Sequence, residues 1–358
     1  MNKKIVLIVV LALGIIGIFV GVWWVNNNDQ PLLPLGASAF LPGFTFPAAA
    51  DEINWEDREV YKSGLTTDAQ SALNKLPQAS IYYITLEITD DLSGDINGHE
   101  VVRFTNAEIE PLDEIYFRLF PNFQGGILTV SNLTIDGSEA ETDLEALDSS
   151  LRVELGQALD PGDSVVVEMD FVLGIPTEMG GNNGLFGYFD DVLVLDTFYP
   201  MIPAYDDDGW YKSFPQPNGD HSYQDASFYV VQVQAPADMN LASSGVVVDH
   251  QEKEGRQTVV FAAGPARDFY LGGSQKYVEL SEQMGELTVK VYAKEEYSLH
   301  QGYALEYAVK AIEIFCERVG DYPYTEFEVI SSPMRALGIE YPGITSIVVD
   351  EFKPGEMN

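Results

Sequence analysis

Ser164-Val165-Val166-Val167-Glu168-Met169-Asp170-Phe171-Val172-Leu173-Gly174 is the stretch that decides the fold. Val165, Val167, Met169, Phe171 and Leu173 alternate with Val166, Glu168 and Asp170. A two-residue period places apolar side chains on one sheet face and polar ones on the other, so it predicts a half-buried strand. The same period returns upstream, where Tyr82, Ile84, Leu86 and Ile88 alternate with Tyr83, Thr85, Glu87 and Thr89. Downstream, Val231 and Val233 alternate with Gln232 and Gln234. Turn-forming clusters separate these runs: Asp91–Gly98, Asp160-Pro161-Gly162-Asp163 and Gly180–Gly184. Many short strands over about 200 residues predict a large antiparallel β domain, a saddle or sandwich, spanning residues 76–292. No internal repeat, low-complexity block or heptad series interrupts it.

The texture changes after Tyr292. Between Glu295 and Val319, Tyr303, Tyr307, Ala311, Phe315 and Val319 recur every four residues, flanked by Ala304, Ala308 and Ile312. That spacing predicts an amphipathic helix with Tyr303 and Tyr307 in the core, His300 at the surface and Cys316 buried as a small hydrophobe. Gly320 stands where a helix C-cap glycine belongs. Phe327–Ile330 and Ile344–Val349 then read as strands around a Pro/Gly turn. Residues 293–358 therefore predict the opening of a second, α/β domain. Some 65 residues are too few to bury a full core alone, so the expectation is a domain cut short. The fold class is mainly β, with an N-terminal transmembrane helix and an incomplete α/β end.

Ile5–Val25 is an unbroken uncharged run after Lys3 and Lys4. As a helix it spans about 31 Å, the thickness of a hydrocarbon core. Trp23 and Trp24 fall at the far interface, and the lysines hold the N-terminus in the cytoplasm. These features predict a signal anchor over residues 1–26 and a single-pass protein of the cell membrane, its folded part on the extracytoplasmic side. A cleaved signal peptide is the rival reading, but the run is long for one and Ala37-Ser38-Ala39 comes late. Residues 27–75, with Pro31, Pro34, Pro42 and Pro47, read as a tether and lead-in.

Lys+Arg number 19 against 56 Asp+Glu, giving a net charge of −37. That balance argues against a nucleic-acid partner and against adhesion of the folded part to anionic lipid. A single cysteine, Cys316, excludes an intramolecular disulfide framework. His99, His221, His250 and His300 are scattered, with no two at metal-ligand spacing.

Leu337-Gly338-Ile339-Glu340-Tyr341-Pro342-Gly343 is the most informative segment for chemistry. It sets one carboxylate between a flexible glycine and a rigid Pro-Gly turn at a strand end. A carboxylate held there binds a cation such as a protonated amine, although a solvated turn carboxylate has the same sequence appearance. The segment resembles the G-x-M-E-N exopeptidase motif of the M1 family of zinc aminopeptidases, with Leu337, Ile339 and Tyr341 as departures. Those departures match a branch whose motif runs M-E-Y-P. The resemblance extends upstream through Tyr82–Asn122 and Tyr199–Trp210, where Asp206-Asp207 survive from F-P-C-x-D-E-P. It continues through Gly264–Tyr277 and Ile312–Ile330, so that it covers roughly residues 75–350.

The resemblance implies a peptidase that removes residues from the N-termini of peptides. It implies that Glu340 captures the substrate's free amine, with Gly338, Ile339 and Tyr341 beside it. It also implies a zinc cofactor for the full-length protein. A zincin needs H-E-x-x-H on a helix, and this chain has none. The zinc ligands and the catalytic residues are thus expected outside this chain, and the chain is expected to be inactive alone. The competing hypothesis is a non-catalytic, membrane-anchored β-rich binding protein. Among weaker candidates, Asp206-Asp207-Asp208 offers oxygen ligands for calcium but reads better as a solvated acidic turn. His221 reads as a hydrogen-bonded loop residue, and Asn132-Leu133-Thr134 fits a glycosylation acceptor.

Overall fold

The computed structural model describes residues 44–180, 183–214 and 222–349. Its largest element is an eight-stranded sheet. In spatial order the strands are Val246–Lys253, Arg256–Ala266, Ser227–Pro236, Ile81–Glu87, Ile96–Thr105, Ser164–Gly174, Ile127–Ile135 and Ser138–Glu139. The alternation in Ser164–Gly174 is realised: Val165, Val167, Met169, Phe171 and Leu173 are buried, whereas Val166, Glu168 and Asp170 are not. The inward faces of Ile81–Glu87 and Ser227–Pro236 join them in one apolar cluster, together with Ile115, Phe117 and Val153. The latter residues come from a three-stranded sheet of Leu112–Arg118, Ser150–Leu159 and Thr142–Glu145. Two sheets therefore sandwich one core.

The pairing is not wholly antiparallel. Ile81–Glu87 runs parallel to Ser227–Pro236 in a register that pairs Ile84 with Val231. Well over a hundred residues separate these strands, so the chain has ample length for the crossover that parallel neighbours require. Inside the stretch read as lead-in, Glu59–Gly64 and Ala69–Asn74 form 3-10 turns. Their Val60, Tyr61, Leu65 and Leu73 pack on the outer face of the large sheet, against Phe228, Val230 and Val260.

A four-stranded sheet, ordered Asn240–Ser243, Leu271–Ser274, Val192–Leu195 and Phe186–Phe189, leads to the last sheet. The last sheet has five strands, ordered Tyr277–Met284, Leu287–Lys294, Glu326–Ser332, Ile344–Val348 and Gly338–Tyr341. Glu326–Ser332 is parallel to both of its neighbours. One helix, Ser298–Arg318, covers this sheet after a 3-10 turn at Glu295–Tyr297.

The helix presents a different face from the one its four-residue spacing suggests. Leu305 and Ile312 are buried, and Ala304, Ala308, Val309 and Cys316 pack beside them against Val289, Val291 and Val329. Tyr303, Tyr307, Phe315 and Val319 are exposed instead, and His300, expected at the surface, is buried. The helix carries two apolar stripes. The one containing alanines takes the sheet because small side chains let the backbone approach closely. Cys316 is half-buried rather than sealed.

Among the described residues no helix is long and apolar enough to cross a membrane. The single-pass membrane localisation and membrane partnership expected from the sequence are corrected accordingly. Ile5–Val25, on which they rested, lies outside the described residues.

Glu100 interrupts the core. It sits on Ile96–Thr105 at 0% exposure, and both carboxylate oxygens lack a hydrogen-bond partner. Burial holds its carboxyl well above the ordinary carboxylate range. The folded chain thus binds this proton more tightly than the unfolded chain does. Stability should fall as pH rises from the ordinary carboxyl range towards the folded value. Glu100→Leu is expected to stabilise the domain by about 1–3 kcal/mol near neutrality and to remove that pH slope. Urea unfolding at about pH 5 and about pH 8 reads both effects. Equal destabilisation at the two pH values would contradict the assignment.

Candidate functional site

Gly338–Tyr341 is the edge strand of the last sheet, paired antiparallel with Ile344–Val348 so that Glu340 lies opposite Thr345. Gly338 and Glu340 are exposed, whereas Ile339 and Tyr341 are half-buried. Ile339 packs near Leu185, Met334 and Val348. Tyr341 turns to the other sheet and stacks on Tyr270, with ring centroids 4.6 Å apart and planes 27° from parallel. The strand therefore gives one carboxylate to solvent and anchors itself by the next residue.

The Pro342-Gly343 turn is fixed from outside the strand. Gly343 has φ +80°, and a Cβ there would lie 2.8 Å from the Ser244 carbonyl oxygen. Only glycine meets both conditions. The loop before the strand is held as well. Arg335 Nη1 donates to the Gly180 carbonyl at 3.1 Å, and the Arg335 amide donates to Asn183 O at 2.9 Å. The turn-forming Gly180–Gly184 cluster thus buttresses the approach to Glu340.

Near Tyr341 lies a buried polar cluster that the sequence does not single out. Asp196 and Asp268 are both buried. Burial raises the Tyr341 phenol, and the nearby charges of Asp196 and Asp268 act in the same direction. The Tyr341 hydroxyl closes no hydrogen bond of ordinary geometry. Gln124 Nε2 donates to Asp196 Oδ2 at 3.2 Å and to Thr197 Oγ1 at 3.4 Å. Thr197 has φ +47°, unusual for a β-branched residue and worth about 1–3 kcal/mol of local strain. Desolvation lifts the Asp268 carboxyl to about 6 against the opposing pull of Arg267, with Asp196 adding to the rise. Two carboxylates therefore share a buried setting beside a left-handed threonine. Asp196 falls just ahead of the Tyr199–Trp210 segment, but no local pattern signals either aspartate.

The weaker candidates separate from this region. Asp206, Asp207 and Asp208 form an exposed hairpin turn, in which Asp206 Oδ1 accepts the Asp208 amide at 2.9 Å. His99 sits between Asp170 at 2.8 Å and Glu168 at 3.5 Å. Asn132 donates to Asp170 at 2.7 Å. His221 lies outside the described residues. Among the described residues no group of three or more His, Cys, Asp and Glu side chains is placed to hold a metal ion. These residues do not fit a zinc site, so no step of a zinc-assisted reaction is assigned to them.

With this geometry in place, comparison with solved structures identifies the fold. A point mutant of the M1 zinc metallopeptidase from Deinococcus radiodurans matches with a TM-score of 0.54 at 18% identity, over 76% of this chain and 60% of that one. The same protein bound to a Tyr-Ser-Ala substrate matches at 0.54 and 16%, over 77% and 61%. A two-domain M1 zinc metallopeptidase bound to L-tryptophan matches at 0.53 and 17%, over 78% and 62%. The fold is thus mainly β and resembles the N-terminal domains of M1 zinc metallopeptidases. The chain spans about three-fifths of the length of these structures. No family model and no curated protein matches the sequence.

One buried ion network carries the sheet behind Glu340. Lys290 Nζ reaches Glu326 Oε2 at 2.5 Å and Glu328 Oε1 at 3.5 Å, with Lys290 and Glu328 both buried. Burial raises the Glu328 carboxyl, and the Lys290 ammonium beside it pulls it back down and favours the charged form. Removing the lysine leaves two carboxylates in low dielectric without a counter-charge. Lys290→Met is therefore expected to lower stability by about 3 kcal/mol, read as a lower thermal midpoint. A neutral or stabilising effect would mean that the network is not a structural tie.

Proposed function

We propose that this chain is the N-terminal portion of a zinc-dependent metallo-aminopeptidase of M1 type, in which Glu340 holds the α-ammonium of a peptide substrate. Residues 76–292 form its β domain and residues 293–358 the beginning of its catalytic domain. The observation that carries the reading is the presentation of Glu340. It is an exposed carboxylate on an edge strand, fixed by the Tyr341–Tyr270 stack on one side and by the Gly343–Ser244 contact on the other. An anchored carboxylate fixes where an ammonium group stops, and so which peptide bond is presented for cleavage. Among the described residues Gly338–Tyr341 pairs on one side only, and its other backbone edge suits a substrate in extended form. Gly338 lies close against the partner strand, where a Cβ would come within 3.1 Å of the Ser346 carbonyl oxygen, while Ile339 and Tyr341 anchor the strand by packing. A solved relative of the fold bound to Tyr-Ser-Ala supports a peptide as the ligand class. Zinc belongs to the full-length enzyme, with its ligands outside this chain. Bound there, it would activate water for attack on the scissile carbonyl.

In the full-length protein, Glu340→Ala is expected to lower kcat/KM for amino-acid amides by about 100-fold. Glu340→Asp should retain more activity than Glu340→Ala. Unchanged kinetics in the alanine variant would sink the assignment. The purified 358-residue chain is expected neither to retain stoichiometric zinc nor to hydrolyse peptides. Tight equimolar zinc in atomic absorption would overturn the placement of the ligands outside it.

A further inference from the structure

Two sheet edges of the β domain open onto one groove. The first is Ile127–Ile135, paired on its inner side with Ser164–Gly174. On its outer side, among the described residues, Thr134 and Ile135 pair with Ser138–Glu139 and the Leu133 carbonyl accepts the Ala140 amide at 3.5 Å. The second is Thr142–Glu145, the outermost strand of the three-stranded sheet. Between them run three adjoining cavities of about 460, 490 and 880 Å³. The first two share Val130, Thr142 and Leu151, and the last two share Glu139 and Ala140.

Backbone groups on both edges face this groove. The Leu128 amide donates to Asn122 Oδ1 at 2.6 Å, and its carbonyl accepts from Asn122 Nδ2 at 3.1 Å. Leu128 thus turns its backbone away from its partner strand, and Val130, two residues on, turns the same way. Across the groove the Glu154 amide donates to the Glu141 carbonyl at 3.0 Å, which makes those two a hydrogen-bonded pair. Thr142 and Leu144, one and three residues further, consequently direct their N–H and C=O outward. Among the described residues no strand meets Val130, Thr142 or Leu144 there.

The groove is apolar at one end and acidic at the other. Leu119, Leu128 and Leu151 form its buried floor. Ile127, Leu144 and Leu147 stand over it at 62%, 52% and 81% exposure. Leu147 is held out by a turn in which Ala146, Leu147 and Asp148 all have positive φ, a left-handed run that costs about 1–2 kcal/mol per residue. Asn122 Nδ2 also donates to the Asp148 carbonyl at 2.6 Å, so one side chain fastens both edges at this end. Asp136, Glu139, Glu141, Glu154 and Asp163 line the largest cavity, and no Lys, Arg or His lines any of the three. Arg152, which pairs with Glu154 of that lining, is shared with Glu114, Asp143 and Glu145.

We infer that this groove is a docking slot for an extended peptide segment in which Lys or Arg alternates with aliphatic residues, bound by strand addition. The open backbone groups supply the ladder. A strand that alternates the two carries aliphatic side chains to the leucine end and cationic ones to the acidic end. A second copy of this chain does not suit the slot, because two molecules of net charge −37 would bring acidic ends together. The slot lies on the β domain and is independent of Glu340.

The test uses the whole chain and fluorescein-labelled acetyl-(Lys-Val)3-amide, whose blocked ends offer Glu340 no α-ammonium. Fluorescence anisotropy at about 50 mM salt should show saturable binding, weakened by raising the salt. The same peptide N-methylated at alternate amides keeps its charge and loses its ladder donors, and it should bind about 10-fold more weakly or worse. Leu144→Pro removes an outward N–H without removing a bond of the sheet, and it should weaken the unmethylated peptide to a similar degree. Acetyl-(Glu-Val)3-amide should not bind. Equal binding of the methylated peptide would reduce the interaction to net charge and overturn the slot, as would no binding at all. A chain that dimerises, with the dimer lost in Leu144→Pro, would assign the edge to a second copy and overturn the peptide. If Leu144→Pro unfolds in circular dichroism, the methylated peptide decides.

Discussion

Glu328 is the residue on which the arrangement around Glu340 depends. Its Oε2 accepts the Ser243 amide at 2.8 Å, and its own amide donates to the Gly343 carbonyl at 2.8 Å. A single residue therefore ties the four-stranded sheet to the central strand of the last sheet, and that strand to the Pro-Gly turn. Buried polar groups are costly unless each is satisfied, and the cost is what makes such a tie specific to one register. A slip of Glu326–Ser332 by one residue would bury a carboxylate against no donor and strand the Ser243 amide. Packing adds a second constraint at the same junction. Gly272 lies against Ile330, where a Cβ would come within 2.7 Å of its Cδ1, and Tyr277 donates its hydroxyl to the Ser331 carbonyl. The position of Glu340 is thus set by contacts made on its neighbours.

How far the fold was legible follows from what periodicity encodes. A two-residue alternation reports burial on one side, so the strands and inward faces of Tyr82–Leu86 and Val165–Leu173 could be read from the chain. It carries no information on which strand lies beside which. The parallel pairing of Ile81–Glu87 with Ser227–Pro236 is a long-range choice made by the whole sandwich. The helix Ser298–Arg318 shows the same limit in another form. Its 3.6-residue period is plain, but two stripes satisfy it, and the larger side chains of Tyr303, Tyr307 and Phe315 made the wrong one more conspicuous. Volume decided the outcome, since a sheet of Val289, Val291 and Val329 accepts alanines at close range more readily than a row of aromatics.

The candidate site divides along the same line. Glu340 stood out as a candidate through the resemblance of Leu337–Tyr341 to the G-x-M-E-N motif, while its local turn chemistry alone fits a solvated carboxylate equally well. Asp196, Asp268 and Gln124 were invisible because they come together from separate parts of the chain with no shared motif. Their signal is burial, which a sequence of many aspartates does not show. Thr197 is the clearest case. Nothing in a threonine's neighbours announces a left-handed backbone, yet the conformation persists because Asp196 and Gln124 are held around it.

Charge gives the β domain a further property that the fold alone does not. Open sheet edges invite pairing with like edges, and proteins blunt them with charge, bulges or short strands. Here Ile127–Ile135 has a bulge between Ser131 and Thr134, and the hairpin Ser138–Glu139 covers only its far end. The apolar floor and the outward backbone of Val130 and Leu144 remain open between these devices. Charge then adds to the protection against self-association, because a second acidic edge is repelled by the carboxylates of the groove's acidic end. The same field has the opposite sign of effect on a cationic strand. A surface guarded by charge is therefore selective as well as protected, and its selectivity is set by the partner's charge before the ladder reads its backbone.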